Sequence, residues 1–404
     1  MGMEFRPYYI SREFIKHGHS VDIIASDFSH LRTNNPNIKN SKIDEIDGIK
    51  YHWIHTFKYN HNGVKRIASM YQFVHKIKRS AKKIAKDINP DVIITSSTYP
   101  LDTYAGQKIK KMCKKIHNKD VMLIHEIHDM WPITPMELYG MSKFNPFIMS
   151  LQRAENSFCK KSDKVVSILP CAKEYLCEHG MRDDKFHFIP NGINILDWNE
   201  KIPLLDEYRK TLEKIKNEGK FILCFFGSHT KSYSLDYLLK ALNKKDRDNL
   251  FTIFVGGGNY KDELISLAKE LDLLEKNVLF FDSIQKKMIP NLLDYCDAIY
   301  VGAIKNKMFK YGIGMNKLFD SMMSGKPILY AVEAPNNYID EFSCGISVPA
   351  ENVDELSLGI DKLLSLSKDE LTTMGQNGRN AVMKKFNYVS IGNEFCKLIE
   401  KDGK

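Results

Sequence analysis

Two stretches of this 404-residue chain group side chains that can do chemistry. The first, "VMLIHEIHDMWP", ends an apolar run with His125, Glu126, His128 and Asp129. Along a strand, successive side chains point to opposite faces. Glu126 and His128 therefore share one side, and His125 and Ile127 the other. A histidine beside a carboxylate can move protons near neutral pH; it can also be a structural hydrogen-bonded pair. A zinc H-E-x-x-H needs a helix and one more residue of spacing, so it is excluded. The second stretch is "YGIGMNKLFDSMMSGKP", residues 311–327. Gly312 and Gly314 precede Asn316 and Lys317, and an apolar helical pattern carrying Asp320 follows. Asn316, Lys317 and Asp320 share one side of the helix start, while Leu318, Phe319, Met322 and Met323 take the buried side. A helix start offers free N–H groups and partial positive charge, which with Lys317 suits an anion.

Other loops after apolar runs carry weaker signals. "FFGSHTKSYSL" places Gly227 and Ser228 where backbone N–H groups can approach an anion, with Lys231 nearby; an ordinary turn between strand and helix reads the same way. "FVGGGNYKDEL" holds Gly256, Gly257 and Gly258, but Lys261 stands where G-x-G-x-x-G needs its third glycine. The dinucleotide fingerprint is absent, and an oxidoreductase loses its main support. Asp246 and Asp248 form an Asp-x-Asp pair in the polar lead-in to a strand, which reads as a solvated turn rather than a Mg²⁺ site.

A third feature is the run 64–88, which reads as an amphipathic helix. Ile67, Met70, Tyr71, Val74, Ile77, Ala81, Ile84 and Ile88 form its apolar stripe. Lys65, Arg66, Lys76, Lys78, Arg79, Lys82, Lys83 and Lys86 flank that stripe. A basic amphipathic helix suits an anionic membrane surface, although a half-buried helix with a soluble basic face has the same pattern. No recognition motif or aromatic array points to nucleic acid. The chain's formal net charge of +9 is concentrated here: Lys65 to Lys119 holds 14 Lys and Arg against three Asp.

The elements that must position these residues alternate. Runs at 20–27, 90–97, 120–127, 163–169 and 185–190 read as strands, separated by helical runs at 8–18, 64–88, 103–116 and 172–180. A polar stretch over 194–220 interrupts the pattern. It then restarts with continuous apolar runs at 221–227, 251–258, 277–283, 296–303 and 327–333, as buried parallel strands require. A last helix is expected over 391–401. The fold class is therefore α/β, with two Rossmann-like domains facing a cleft: 1–194, 195–385, and a C-terminal helix in 386–404 packing back on the first. Ligands of such sheets bind beyond the carboxyl ends of the strands. Eight scattered cysteines form no C-x-x-C pair, which reads as a reducing cytosol. No apolar run approaches the ~18 residues of a membrane span. "MGMEFRPYYISREF" lacks a signal-peptide apolar core.

With these residues in place, the chain resembles the family 4 retaining glycosyltransferases of GT-B fold. Within them it is similar to bacterial sugar transferases of O-antigen and capsule assembly, including the N-acetylfucosamine transferases. The resemblance covers nearly the whole chain and rests on "DVIITSSTYPL", "HEIHDMWP", "FIPNGIN" and "NKLFDSMMSGKP", in that order. It implies transfer of a sugar from a UDP-sugar co-substrate with retained configuration and no metal or cofactor. The implied acceptor is a saccharide on a polyprenyl diphosphate. The implied location is cytoplasmic, peripheral on the inner face of the membrane. By position, Gly314, Met315, Asn316 and Lys317 would hold the donor diphosphate and Asp320 the ribose. Gly227 and Ser228 would lie against the phosphates, and Ser283, Ile284 and Gln285 would meet the base. Glu126, His128 and Asp129 would face the transferred sugar and the acceptor.

Two departures from the family stand out. The Glu-x7-Glu pattern that often spans the last motif has Asp320 at its second place but Gly312 at its first. The family also opens with a strand and a glycine-rich loop, whereas here Gly2 and Met3 already stand at that loop's end. The expectation is a native start upstream of Met1. Without the first strand, the edges of its neighbours would be exposed. Two rival functions fit the same fold: a nucleotide-sugar epimerase, and a non-catalytic sugar-nucleotide-binding subunit.

Overall fold

A computed structural model of the chain describes residues 5–30, 32, 34–38, 42–59 and 63–400. Its contacts divide into two units. One runs to Asn191 and resumes at Tyr388; the other is Gly192–Asn387.

The first unit carries two sheets. β1 (Asp22–Ser26), β2 (Lys42–Ile46) and β3 (Ile49–Ile54) form one, in the order β1-β3-β2. β1 runs parallel to β3, and β2 antiparallel to it. The hairpin strands were not legible from the sequence, because "KIDEI" is polar and β2 is mostly exposed. β4 (Val92–Thr95), β5 (Met122–Ile127), β6 (Lys164–Ser167) and β7 (Phe186–Phe188) form a parallel sheet in chain order. Among the described residues, β1 pairs only with β3 and β4 only with β5. Ile23 of β1 and Ile94 of β4 nevertheless pack on the same core, with Ile49, Ile124 and Val166.

Helices cover these sheets. α1 (Arg6–Lys16) packs against the Tyr388–Glu400 helix. Tyr9 stacks on Tyr388 with ring centres 4.8 Å apart, and Phe14 meets Phe395 edge-on at 5.6 Å. Each such buried aromatic pair contributes about 0.5–1.5 kcal/mol beyond its area. Close approach is possible because residue 392 is glycine: a Cβ there would lie 2.4 Å from Glu13 Cβ.

α2 (Val64–Asp87) buries Met70, Phe73, Val74, Ile77, Ala81 and Ala85 against α3 (Thr103–His117). Tyr71, expected in that stripe, is instead 41% exposed, and Phe73 takes its place. A helix turns 3.6 residues per cycle, so the stripe drifts and excludes position 71. α4 (Ile133–Tyr139) and α5 (Pro146–Lys161) follow β5.

The second unit is a six-stranded, all-parallel sheet. Its strands are β8 (Phe221–Phe226), β9 (Leu250–Val255), β10 (Val278–Phe281), β11 (Ala298–Gly302), β12 (Ile328–Ala331) and β13 (Gly345–Ser347). Their order is β10-β9-β8-β11-β12-β13. All six residues of β9 are buried, as strands covered on both faces require. The order reverses between β8 and β11. Loops at such a switch point splay apart and leave a crevice. Asp246 and Asp248 are exposed, as expected of a solvated turn, while Arg247 between them is buried, pairs with Asp361 at 2.8 Å and bonds Ser357.

Gly392→Val should lower the stability of the first unit by about 1–3 kcal/mol, the usual cost of overpacking. A fall in the urea midpoint with an unchanged slope is the expected result.

Candidate functional site

In the first unit, the end of β5 lies beside β4. Glu126 is 2% exposed and fully engaged. Arg6 Nε donates to its Oε1 at 2.8 Å, Ser96 Oγ donates to Oε2, and His128 Nε2 lies 3.3 Å from Oε2. Burial alone would raise its pKa, but Arg6 and then His128 overcome burial and hold the carboxyl well below the usual carboxylate range. Arg6 also donates to the carbonyls of Ile189 (2.9 Å) and Pro190 (2.5 Å). It thus ties α1, β5 and the "IPN" segment into one node.

Ser96 Oγ accepts from His128 at 2.8 Å because its own proton goes to Glu126. That places a proton on Nε2, so in the neutral ring Nδ1 is an acceptor, and it has no partner among the described residues. His125 faces the other way, as strand alternation requires. It bonds Thr95 Oγ1 at 2.7 Å and stacks on Phe158.

Asp129 serves its own loop. It accepts from Met130 N (2.8 Å), Trp131 Nε1 (3.1 Å) and, in the first turn of α4, Thr134 Oγ1 (2.6 Å). Asp102, next to this group, is pushed up to about 6 by burial, against hydrogen bonds from Ser97. Of the three residues expected here, His128 keeps a free acceptor, while Glu126 and Asp129 hold structure in place. The sequence reading missed Arg6, Ser96 and Asp102. They come from distant elements, and no local spacing marks them.

In the second unit, the turns after β8 and β9 interlock. Gly227, Gly256 and Gly258 have φ of 130°, 150° and 157°. A Cβ on Gly256 would lie 1.9 Å from Gly227 O, and one on Gly258 2.3 Å from His229 O. Gly256 and Gly258 therefore serve contact between the turns rather than with a ligand. His229 N donates to Gly257 O at 2.8 Å, and Tyr260 N donates to His229 O at 3.0 Å. The His229 ring is fully buried with neither nitrogen partnered among the described residues, and burial, then Lys261 and Lys317, push it down to about 4. It is neutral, and the sequence did not single it out. Ser283 Oγ lies beside Gly257, 3.2 Å from where a Cβ would be. Ser283 and Gln285 are exposed, while Ile284 packs on the core.

The Asn316–Met323 helix points its first turn at this turn pair. Lys317 Nζ is 3.2 Å from the Cβ position of Gly227. It sits 3.1 Å above the Tyr233 ring centre and 4.3 Å from that of Phe225. It has no hydrogen-bond partner among the described residues, and burial holds its pKa well below the ordinary lysine value. Asp320, one turn on, is 7% exposed. Burial raises its pKa and Lys286 pulls it back. Lys317 and Asp320 make no ion pair with each other among the described residues.

Gly314 and Met315 lead into this helix, and Asn316 at its start is exposed. Ser228 and Lys231 are exposed beyond the turn, and Lys231 lies over Tyr260 at 5.3 Å. Gly2 lies outside the described residues.

The family described as Glycosyltransferase Family 4 matches residues 2–195, and the one described as Glycosyl transferases group 1 matches residues 207–381. Among solved structures, sucrose-phosphate synthase from Thermosynechococcus elongatus superposes with a TM-score of 0.72 at 16% identity, over 99% of this chain and 93% of that one. WaaG, a glycosyltransferase involved in lipopolysaccharide biosynthesis, gives 0.64 at 16%, over 98% and 96%. Anabaena HepE in complex with UDP and glucose gives 0.62 at 17%, over 88% and 87%. No curated protein matches the sequence. The chain is a glycosyltransferase of the GT-B fold.

In this glycosyltransferase the departure at Gly312 has a backbone cause. Its φ is 103°, a conformation L-residues rarely adopt, and the residue is buried. A glutamate there would need a different backbone. The basic face of α2 is also smaller than the sequence implies. Lys76 Nζ donates to His55 O at 2.8 Å, and Arg66 lies over Trp131 at 6.0 Å. Lys65, Lys78, Arg79, Lys82, Lys83 and Lys86 remain exposed. No described helix is long and apolar enough to cross a membrane.

Arg6→Ala strands the Glu126 carboxylate, and loss of one partner of a buried pair costs about 3–5 kcal/mol. Because the folded pKa is depressed, the pair's contribution is complete above the ordinary glutamate value. It fades as pH falls through the folded value. The stability gap between wild type and Arg6→Ala should therefore narrow on acidification below about pH 4.5. Urea melts across pH 3–7 check this, and a constant gap would contradict it.

Proposed function

We propose that this glycosyltransferase moves a sugar from a UDP-sugar, with retained configuration, to a saccharide carried on a polyprenyl diphosphate in surface polysaccharide assembly. The observation that carries the donor reading is Lys317: a desolvated ammonium without a counter-ion, at a helix start, against a glycine turn. Such a site lacks a negative charge. A nucleoside diphosphate supplies two, together with oxygens for the free N–H groups of the helix. HepE was solved with UDP and glucose, and related structures with other UDP-sugars, which supports this donor class.

In the proposed reaction the leaving UDP gains charge as the glycosidic bond breaks. Lys317 and the helix dipole are fixed before that charge develops, so they stabilise it without reorganising. They do what a divalent cation does elsewhere, so the reading needs no metal. Asp320 has acceptor oxygens for the two ribose hydroxyls, and Ser283, Ile284 and Gln285 would flank the base. The departing phosphate takes the acceptor's proton, so no protein nucleophile is needed for retention. His128 Nδ1 accepts from a sugar hydroxyl, and Glu126 and Asp129 position it. The exposed lysines of α2 suit an anionic, inner membrane face where the acceptor would reside.

A bound diphosphate raises the depressed Lys317 pKa, so binding takes up a proton. UDP affinity should fall as pH rises from the depressed value towards the ordinary lysine value of about 10.4. Lys317→Met should melt higher than wild type without ligand, since the cost of burying a lysine, borne as an unpaired charge or as its deprotonation, is gone. The same variant should lose the thermal shift given by UDP and about 10²–10³-fold in turnover. Calorimetry in buffers of different ionisation enthalpy reads the proton. UDP release from UDP-sugars, with and without native lipid extract, separates the rivals. Release only with lipid supports the transferase, release-free interconversion of the sugar points to an epimerase, and tight binding without turnover points to a binding subunit.

A further inference from the structure

The first unit holds a second cavity, of about 580 Å³, away from the β5 end. That volume lies within the range of small-molecule sites. Its walls come from α2, α3 and α5, and Val74 and Leu101 form its apolar floor. Tyr71, His75 and Lys78 reach it from α2 at positions i, i+4 and i+7, one face of the helix. Tyr104 enters from α3, and Ser150 and Arg153 from α5.

Three features make this more than a gap between helices. The lining contains three basic side chains and no carboxylate. Neither Lys78 nor Arg153 has a carboxylate partner among the described residues, whereas Arg247, Arg209 and Lys240 all do. The Lys78 ammonium lies 5.9 Å from the Tyr104 ring centre. Tyr71, turned out of the helix stripe, is bonded to Ser150 Oγ across the cavity wall. Two aromatic rings over an apolar floor, with two uncompensated cations at the rim, match a ligand that is anionic at one end and carbon-rich at the other.

We infer that this cavity binds a phosphate ester, with its phosphate between Lys78 and Arg153 and its organic part against Tyr71 and Tyr104. A guanidinium gives a phosphate two parallel hydrogen bonds, and the lysine adds a point charge. Two sources carry this chemistry, a lipid headgroup and a soluble phosphate ester. The inference rests on this cavity alone and is independent of the donor reading.

The test uses the whole protein and three probes: inorganic phosphate, glucose 1-phosphate, and dihexanoyl-phosphatidate below its micellar concentration. Titration calorimetry is run on wild type, Arg153→Ala, Tyr104→Ala and Lys111→Ala. Lys111 is an exposed lysine of α3 that does not line the cavity. At least one ester should bind more tightly than inorganic phosphate. Arg153→Ala should weaken it about tenfold or more. Tyr104→Ala should weaken the ester but not inorganic phosphate, and Lys111→Ala, at an exposed α3 lysine outside the cavity and outside the basic face of α2, should change neither. Phosphatidate preference, with Arg153-dependent sedimentation on phosphatidylcholine vesicles containing phosphatidate, assigns a lipid source. Glucose 1-phosphate preference without vesicle binding assigns a soluble one. The inference is overturned if no ester binds, if esters bind no better than inorganic phosphate, or if Lys111→Ala and Arg153→Ala lose equally. UDP binding, measured in parallel, should be the same in all variants; a variant that loses it has lost its fold and is replaced by Arg153→Gln.

Discussion

A lysine ammonium sealed from water without a counter-charge is costly, and the second unit is arranged around that cost. Lys317 lies on the Tyr233 and Phe225 rings, whose π faces replace part of its lost hydration. Burial still holds the Lys317 pKa well below the ordinary lysine value. Nothing nearby relieves the charge: His229 is neutral and Asp320 does not reach it. The turn glycines let β8 and β9 end close enough to hold this arrangement. On the proposed donor reading, an unpaired buried lysine would hold binding energy for an anion at the expense of stability.

The first unit treats buried charge in the opposite way. Glu126 and Arg6 satisfy one another, and Arg6 spends its remaining donors on two carbonyls. The pair is a joint between α1 and β5. Its by-product is a histidine with a proton on Nε2 and, in the neutral ring, an acceptor at Nδ1. The cavity rim at Lys78 and Arg153 shows the other pattern again: cations left without carboxylates where a ligand can provide them.

Much of the fold was legible because its signals are local. Continuous apolar runs at β8, β9 and β11 can only be buried strands, and their alternation with helical runs implies a parallel sheet. The β2–β3 hairpin was not legible, since β2 is short, polar and solvent-facing and β3 is only six residues long. Tyr71 was misplaced for a related reason: a stripe of apolar letters does not say where a helix rolls against its neighbour.

The sequence by itself determined the two-unit α/β plan, the helix start bearing Lys317 and Asp320, and the shared face of Glu126 and His128. Each follows from periodicity, capping and strand alternation, which act over a few residues. Only the tertiary structure decided which charges are left unpaired. Arg6 reaches Glu126 from 120 residues away, Asp129 turns back onto its own loop, and Lys317 finds rings where a carboxylate would have neutralised it. Desolvation depends on everything packed around a group, and no short stretch of sequence contains that information.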